Sequence, residues 1–315
     1  MTRPTCVIQA PAKVNLSLAV GPCEDTPIGP RHPVCTWIVR TDLADELTIT
    51  ALEPDYFSRY AVIWADDARH TAPIDWSIAR DLTVRAHAAL ERHVGRRLPV
   101  QLKLEKRVPV GAGMGGGSSD AAAMLFGCNR LFDLGLTAHD LQGLAGELGS
   151  DVHFFLAGAA SAVVSGFGER IDPCTAPDEP LNLVVVMPHD LQCATADVYA
   201  RFDALDQDGS DSKQDQFVSA AARVAADARG ATLSPDRLFN DLDRPAYHLL
   251  PELEQVRRAI MEMAETTVHL TGSGAAMFMI CDDRLHAEFL AAAITKQHGH
   301  PAWAVRAATD LPSAR

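Results

Sequence analysis

The sequence contains no Cys-x-x-Cys pair. Its seven cysteines, Cys6, Cys23, Cys35, Cys128, Cys174, Cys193 and Cys281, are scattered and odd in number, which disfavours a disulfide framework or a structural zinc site and favours a reducing compartment. Basic residues are also scarce: 28 Lys and Arg against 41 Asp and Glu leave a formal charge of -13. A surface that coats DNA or RNA needs a positive footprint, so no nucleic-acid partner is expected. Net charge does not exclude a local basic pocket for phosphates. No apolar run reaches membrane-spanning length, and the opening MTRPTCVIQAPAK lacks a signal core. No membrane partner is therefore expected, and the location is read as cytoplasmic. There is no internal repeat or extended low-complexity segment. What is present is ample apolar material, 47% of 315 residues, enough to bury a substantial core divided between two domains or lobes.

The chemistry concentrates in RVPVGAGMGGGSSDAAAML, Arg107 to Leu125, where Gly111, Gly113, Gly115, Gly116 and Gly117 precede Ser118, Ser119 and Asp120. Glycine lets backbone approach a ligand closely. A small-polar run leading into an alanine-rich segment opens a helix whose first N–H groups are unpaired. The combination suits an anion, most plausibly the phosphates of a nucleotide, against the simpler reading of a flexible turn. Gly111, Gly113 and Gly116 also fit G-x-G-x-x-G, but that fingerprint follows a fully apolar parallel strand. The preceding VQLKLEK alternates, as a half-buried antiparallel strand does, and ends in Lys106, Arg107 and Pro109. A P-loop fails because residue 117 is Gly where Lys is required. A phosphate cradle of another type is left, to which Ser118 or Ser119 can offer a hydroxyl for phosphate or magnesium and Lys106 or Arg107 positive potential.

Along the rest of the chain, Thr5 to Gly21 reads as two short strands split by Pro11, with Lys13 at a strand mouth where it either reaches a phosphate or lies on the surface. Residues 22–33 read as loop, Val34 to Leu52 as strand, and Ser77 to Val94 as a helix with Leu82, Ala86, Ala89 and Leu90 on its apolar face. A helix is expected from about Ser119 to Leu131, and a second one capped by Thr137 and Asp140. In LGSDVHFFL, Asp151 begins another helix: it either caps the N–H groups or orients a hydroxyl and takes its proton during attack on phosphorus. His153 either joins a substrate pocket or packs. Residues 172–180 form the expected lobe boundary, and His189, Asp190 and Thr195 a loop able to meet substrate. Residues 206–216 read as an exposed irregular insertion, and Pro251 as a helix start. LTGSGAAMF places Gly272, Ser273 and Gly274 in a tight turn before a strand, either a hairpin or a clamp on the first glycine loop.

Four ordered segments, PAKVNLSL (Pro11 to Leu18), PVGAGMGGGSSDAA (Pro109 to Ala122), LGSDVHFFL (Leu148 to Leu156) and LTGSGAAMF (Leu270 to Phe278), together with NDLDRPAYHLLPEL from Asn240, resemble the small-molecule kinase superfamily of galactokinases, homoserine kinases and mevalonate kinases. Within it the similarity is greatest to the 4-diphosphocytidyl-2-C-methyl-D-erythritol kinases. The resemblance implies an α/β (α+β) two-lobe fold. Its parts would be a ribosomal-protein-S5-like N-terminal lobe over residues 1–175, containing a left-handed βαβ element, and a ferredoxin-like C-terminal lobe over residues 176–315.

It further implies Lys13 and Asp151 as catalytic pair, and Gly111, Gly113, Gly115, Gly116, Gly117, Ser118 and Ser119 as ATP phosphate loop, Ser119 also as a magnesium ligand. Gly272, Ser273 and Gly274 match the family's glycine turn, while Asn15, Arg31, His32, His153 and Thr195 are the implied substrate contacts. The expected reaction, with ATP and Mg2+, phosphorylates the C2 hydroxyl of a cytidylated alcohol in non-mevalonate isoprenoid synthesis, by a monomer or weak homodimer. The alternatives are a relative acting on another small alcohol and a nonenzymatic nucleotide-binding homologue. Two departures bear on the acceptor: Pro30, Arg31, His32 stand where the family has a GYH-like segment, and His153 stands where it often has proline. Arginine can stack on a base or meet a diphosphate without preserving cytosine selection.

Overall fold

The computed structural model describes residues 3–27, 29–174, 180–205, 210–230 and 233–307. The N-terminal part runs β1 (Thr5–Val20), β2 (Glu24–Thr26), β3 (Gly29–Arg31), β4 (Val34–Ala51), β5 (Arg59–Trp64), α1 (Leu82–Val94), β6 (Val100–Lys106), α2 (Gly116–Leu131), α3 (Ala138–Ala145), α4 (Ser150–Ala157), β7 (Ser161–Gly166) and β8 (Arg170–Pro173). The C-terminal part follows with β9 (Asn182–Val186), α5 (Thr195–Leu205), α6 (Ser210–Arg229), α7 (Asp243–Leu249), α8 (Pro251–Ala264), β10 (His269–Leu270), β11 (Met277–Cys281), α9 (Arg284–His298) and β12 (Ala302–Arg306). The expected boundary between residues 175 and 176 lies outside the described residues.

The first sheet is mixed, in the order β5-β6-β4-β7-β8, with β1 also on β4. The second is antiparallel, β10-β11-β9-β12. Together they give the two-lobe α/β architecture expected of the kinase superfamily. The alternation of VQLKLEK works as anticipated: Val100, Leu102 and Leu104 are buried and Gln101 and Lys103 exposed. Its pairing is only half as anticipated, antiparallel to β4 and parallel to β5, because α1 carries the chain back across the sheet as a βαβ unit. The capping box of Thr137 and Asp140 forms as read.

Three apolar clusters stack through the molecule. One lies between the first sheet and α1 to α4. A second joins the faces of the two sheets, with Leu16, Trp37 and Val39 against Leu183, Val185, Phe278 and Trp303. The third holds the outer face of the second sheet under the C-terminal helices. β9 is apolar at Leu183 through Val186 because both of its faces are covered: Leu183 and Val185 enter the middle cluster, Val184 and Val186 the outer one. The middle cluster is what brings elements of the two sheets to one site.

Several local expectations are corrected. Pro11 does not split the first strand; β1 is continuous, and the β1–β4 register instead shifts between Pro11 and Lys13. Proline lacks an N–H but its fixed φ suits an extended chain, so an irregularity replaces a break. Residues 22–33 are not all loop, since β2 and β3 pair as a small hairpin. The expected insertion at 206–216 is helical from Ser210 onward, as the start of the 20-residue α6. Residues 206–209 lie outside the described ones. α2 begins at Gly116 rather than near Ser119. Among the described residues no helix is long and apolar enough to cross a membrane.

Candidate active site

The glycine loop is anchored from below by a buried ion triad. Lys106, at the end of β6, donates to Asp45 Oδ2 at 2.5 Å and to Asp120 Oδ2 at 2.6 Å, while Asp45 Oδ1 accepts the backbone N–H of Val108 at 2.8 Å. β6, β4 and the N-terminal part of α2 are thereby tied together where the chain enters the loop. Burial opposes the Lys106 charge, but the Asp120 and Asp45 carboxylates outweigh it and raise its pKa. Burial first, then the Asp45 charge, drives the Asp120 carboxyl well above the ordinary range against the pull of Lys106. The reading of Lys106 and Arg107 as sources of positive potential is therefore revised: Lys106 is matched internally, and Arg107 turns to Asp67 at 2.8 Å.

Gly115 caps α2 in the left-handed region, with φ 68°. A Cβ there would lie 3.0 Å from Lys13 Cγ and 3.1 Å from Phe155 Cε2, so glycine serves both the backbone angle and the contact. The unpaired N–H groups of the first turn of α2 open into a cavity of about 710 Å³ lined by Gly111, Gly113, Gly115, Gly116, Gly117 and Ser118, with Trp76 and Arg80 further out. A second cavity, about 760 Å³, holds Lys13, Asn15, Arg31, His32 and Asp151. The two share Gly113, Gly115, Ser118 and Thr195, so they meet along the glycine loop.

Lys13 stands at that seam. Its backbone N–H leaves the β1–β4 ladder to donate to Met114 O at 2.9 Å. Its ammonium, 4% exposed, donates to Gly113 O at 2.7 Å and to Asn15 Oδ1, and lies 3.6 Å from Asp151 Oδ2. Asn15 is held in turn, its amide donating to Thr36 Oγ1 and its backbone N–H to Thr271 Oγ1, both at 2.9 Å. The second glycine turn does clamp the first loop: a Cβ on Gly113 would meet Thr271 O at 2.4 Å, and Ala276 N–H donates to Ala112 O at 3.3 Å. Gly272 and Ser273 face the second cavity. Gly274 closes the turn behind them, donating to Thr271 O at 3.1 Å. Asn240 fixes this turn by donating to Gly272 O at 2.8 Å and Leu270 O at 3.2 Å.

At the far end of the second cavity Arg31 lies over the Phe167 ring, 5.0 Å from its centroid, and donates to Phe167 O and Ser150 Oγ. His32 packs on Tyr199 at 5.1 Å and on the edge of Phe202 at 5.7 Å. Burial, with the Asp151 charge, pushes the Tyr199 hydroxyl up to about 12. Thr195 begins α5 and meets Ser273 Oγ at 2.9 Å.

Other expected residues are not brought in. His153 does not line the cavity; its Nδ1 meets Gln142 Oε1 at 2.7 Å on the α3 side of α4. His189 and Asp190 pair with each other at 2.8 Å, and His189 lines a different pocket. Ser119, expected as metal ligand, is 2% exposed and lines a separate apolar pocket with Arg40 and Phe126. Because α2 starts at Gly116, Ser118 and Ser119 point about 100° apart around it, and Ser118 takes the cavity side. Sequence reasoning missed Asp45 and the triad, Tyr199, and the role of Asn240. Asn240 had a signal in its own segment, whereas the triad's members carry no shared spacing.

Comparison with known proteins identifies the family. The GHMP kinases N terminal domain family matches residues 81–167, and the GHMP kinases C terminal family residues 228–300. The 4-diphosphocytidyl-2-C-methyl-D-erythritol kinase of Gloeobacter violaceus is 32% identical over 301 residues, covering 94% of this chain and 92% of its own. That of a Nocardioides species is 36% identical, covering 93% and 94%. A crystal structure of 4-(cytidine 5'-diphospho)-2C-methyl-D-erythritol kinase superposes with TM-score 0.69 at 31% identity, over 95% of this chain and 98% of the other. Mevalonate kinase of L. major, with R-mevalonate, superposes with TM-score 0.68 at 15% identity, over 100% and 99%, a likeness of fold alone. With both halves matched and the similarity running through nearly the whole chain, the protein belongs to the 4-diphosphocytidyl-2-C-methyl-D-erythritol kinase family of the GHMP kinases, which phosphorylate small alcohols with ATP.

Proposed function

We propose that this chain transfers the γ-phosphate of ATP to the C2 hydroxyl of 4-diphosphocytidyl-2-C-methyl-D-erythritol. The observation that carries the reading is the Lys13–Asp151 pair at 3.6 Å, beside the seam where the two cavities join. ATP phosphates lie against the glycine loop and the N-terminus of α2, where free N–H groups and the helix dipole favour negative charge. The acceptor occupies the second cavity with its hydroxyl at Asp151, which orients it and takes its proton as the oxygen attacks phosphorus. Lys13 has three N–H donors. Two are committed to Asn15 Oδ1 and Gly113 O, which leaves the third facing Asp151 and the reacting oxygens.

Oxygen donors fit a magnesium ion carried in with the nucleotide. Ser118 faces both cavities, and Asp120, whose Oδ1 has no hydrogen-bond partner, lines the first. Magnesium keeps several waters, so a hydroxyl and a carboxylate at the wall suffice beside the phosphates. When bound, the ion neutralises phosphate charge.

Arg31, held by Phe167 and Ser150 at the position where the family resemblance implies tyrosine, supports a second reading in which the acceptor is a different small alcohol. The test is ATP and Mg2+ with the cytidylated alcohol, read by phosphorus NMR, beside a panel of homoserine, mevalonate and galactose. A new phosphomonoester on the cytidylated alcohol alone is expected. Turnover restricted to another alcohol sinks the substrate assignment, and no turnover by a folded, ATP-binding chain sinks the kinase mechanism.

A further inference from the structure

Arg40 is a buried cation without a counter-charge. It lies on β4, is 4% exposed, and lines a third cavity, about 350 Å³, between the first half of β1, α2 and the end of α4. This cavity shares no lining residue with the two that meet at the glycine loop. The Arg40 guanidinium donates through Nη2 to Phe155 O at 2.7 Å, while its Nε is buried and has no hydrogen-bond partner. The rings of Phe154 and Phe155 lie 5.5 and 5.8 Å away, and its cross-strand partner is another cation, Lys13. Among the described residues no carboxylate pairs with it, and burial alone lowers its pKa, to about 10, so it is charged at neutral pH. One carbonyl and two ring faces offset part of the cost of burying a guanidinium, but a buried charge ordinarily meets an anion.

The walls of the cavity narrow the anion. Ile8, Pro11, Ala122, Ala123, Phe126 and Phe155 make them largely apolar. The amides beside them are engaged elsewhere: Gln9 donates to Glu46 Oε2 at 2.6 Å, and Asn129 both donates to and accepts from the Leu136 backbone. Arg130 is exposed at the rim. Arg40, with the Ser119 hydroxyl in the same wall, is therefore the group that meets a ligand's head. A planar guanidinium takes a carboxylate through two parallel hydrogen bonds. One buried cation is balanced by one negative charge, whereas a phosphate dianion would carry excess charge into a low-dielectric wall. At about 350 Å³ the cavity is near the lower end of the roughly 300–1,000 Å³ of ligand pockets, which limits the apolar body to a short chain or one ring.

We propose that this third cavity binds a small amphipathic monocarboxylate, its head on Arg40 and its apolar body between β1 and α2. The site adjoins the kinase centre through Phe155, which packs 3.1 Å from where a Cβ on Gly115 would lie and sits one turn after Asp151 on α4. It is independent of which alcohol the kinase phosphorylates, so it is tested without turnover. Calorimetric titration of the nucleotide-free protein at neutral pH with octanoate is expected to give one ligand per chain, bound at least about tenfold more tightly than 1-octanol or octyl phosphate. Arg40→Met should weaken octanoate by a similar factor and leave 1-octanol unchanged. Phe126→Ala, at the exposed mouth of the cavity, should weaken both. Thermal unfolding of the unliganded variants checks that they fold, and the Phe126 variant keeps the test open should Arg40→Met not do so. The proposal is overturned if octanoate does not bind stoichiometrically, or if either variant binds it as tightly as the parent. Equal affinity for 1-octanol also overturns it, because the cavity is then a packing gap, and tighter binding of octyl phosphate overturns the carboxylate assignment.

Discussion

Replacing Lys106 with methionine tests whether the triad beneath the glycine loop supports both fold and site. The lysine is 5% exposed, Asp45 0% and Asp120 2%, with ion-pair distances of 2.5 and 2.6 Å. Methionine retains the aliphatic stem and removes the cation, which leaves two carboxylates in the interior facing each other. Breaking a buried pair in this way costs about 3–5 kcal/mol, a large part of the roughly 5–15 kcal/mol that holds a domain folded. At about 1.4 kcal/mol per decade the folding equilibrium should fall by roughly two to three and a half decades. Urea unfolding at pH 8, with parent and variant side by side, reads this directly. The difference should narrow as pH falls, because Asp120, already displaced upward, takes up a proton and relieves the repulsion. Lys106→Met with Asp120→Asn should recover part of the loss. The ATP KM should rise in the single variant, since a Cβ at Gly116 would sit only 3.4 Å from Lys106 Nζ and the first turn of α2 rests on that side chain. A loss below about 1 kcal/mol with an unchanged ATP KM would refute the reasoning, for the triad would then be no more than a surface-strength interaction.

Four further outcomes are expected. Asp151→Asn should lower kcat by roughly 10²–10⁴-fold with little change in ATP KM, as loss of a proton acceptor does; near-normal kcat removes Asp151 from the chemistry. Arg31→Tyr should shift relative kcat/KM towards the cytidine-bearing acceptor, and unchanged ratios across the alcohol panel exclude Arg31 from selection. Gly113→Ala forces a side chain into φ 73° and against Thr271 O, so it should cost at least about 1–2 kcal/mol for the backbone angle alone and weaken ATP binding; parent-like stability would show that the two glycine turns can separate freely. Burial, opposed by Arg257 and aided by Asp241, lifts the Asp243 carboxyl to about 7, above its unfolded value near 3.9. The folded chain thus binds this proton more tightly, so its contribution is full below about pH 4 and is lost as pH rises to about 7, by at most about 4 kcal/mol. Asp243→Asn should flatten that slope relative to the parent, and identical pH profiles of unfolding would contradict the assignment.

The residues legible in the sequence were those whose chemistry depends on neighbours along the chain. Consecutive glycines ahead of an alanine-rich run announce a loop and a helix start, and the alternation of VQLKLEK announces a strand. The continuous β1 was missed because proline is a strand breaker only where its N–H is needed, and here the ladder already shifts its register. From the residues Ser118 and Ser119 were equivalent candidates, and Ser119 was singled out as metal ligand only by the family resemblance; on α2 the two side chains point about 100° apart, a difference that depends on where the helix begins. The Lys106 triad was invisible for a different reason. Asp45 is separated from Lys106 by 61 residues and Asp120 by 14, and only the pairing of β4 with β6 brings them together. Lys13 and Asp151 were each ambiguous alone, and the similarity of several segments to one kinase family was needed to pair them.

The geometry also explains why the two lobes function as one unit. Lys13 reaches its position by leaving the β1 ladder for Met114, and Asn15, two residues on, is held by Thr271, the residue after β10. The same Thr271 carries the carbonyl that excludes a side chain from Gly113, so one residue of the C-terminal turn fixes both the strand that carries Lys13 and the first glycine loop. Asn240 then braces that turn from the segment before α7. Separation of the sheets would therefore loosen the lysine and the loop together. It follows that Thr271→Val, which keeps the carbonyl but removes the hydroxyl bound to Asn15, should disturb the placement of Lys13 and lower kcat while the close packing at Gly113, and with it ATP affinity, is retained. A variant in which ATP KM rises and kcat is preserved would show that the loop, not the strand, depends on this contact.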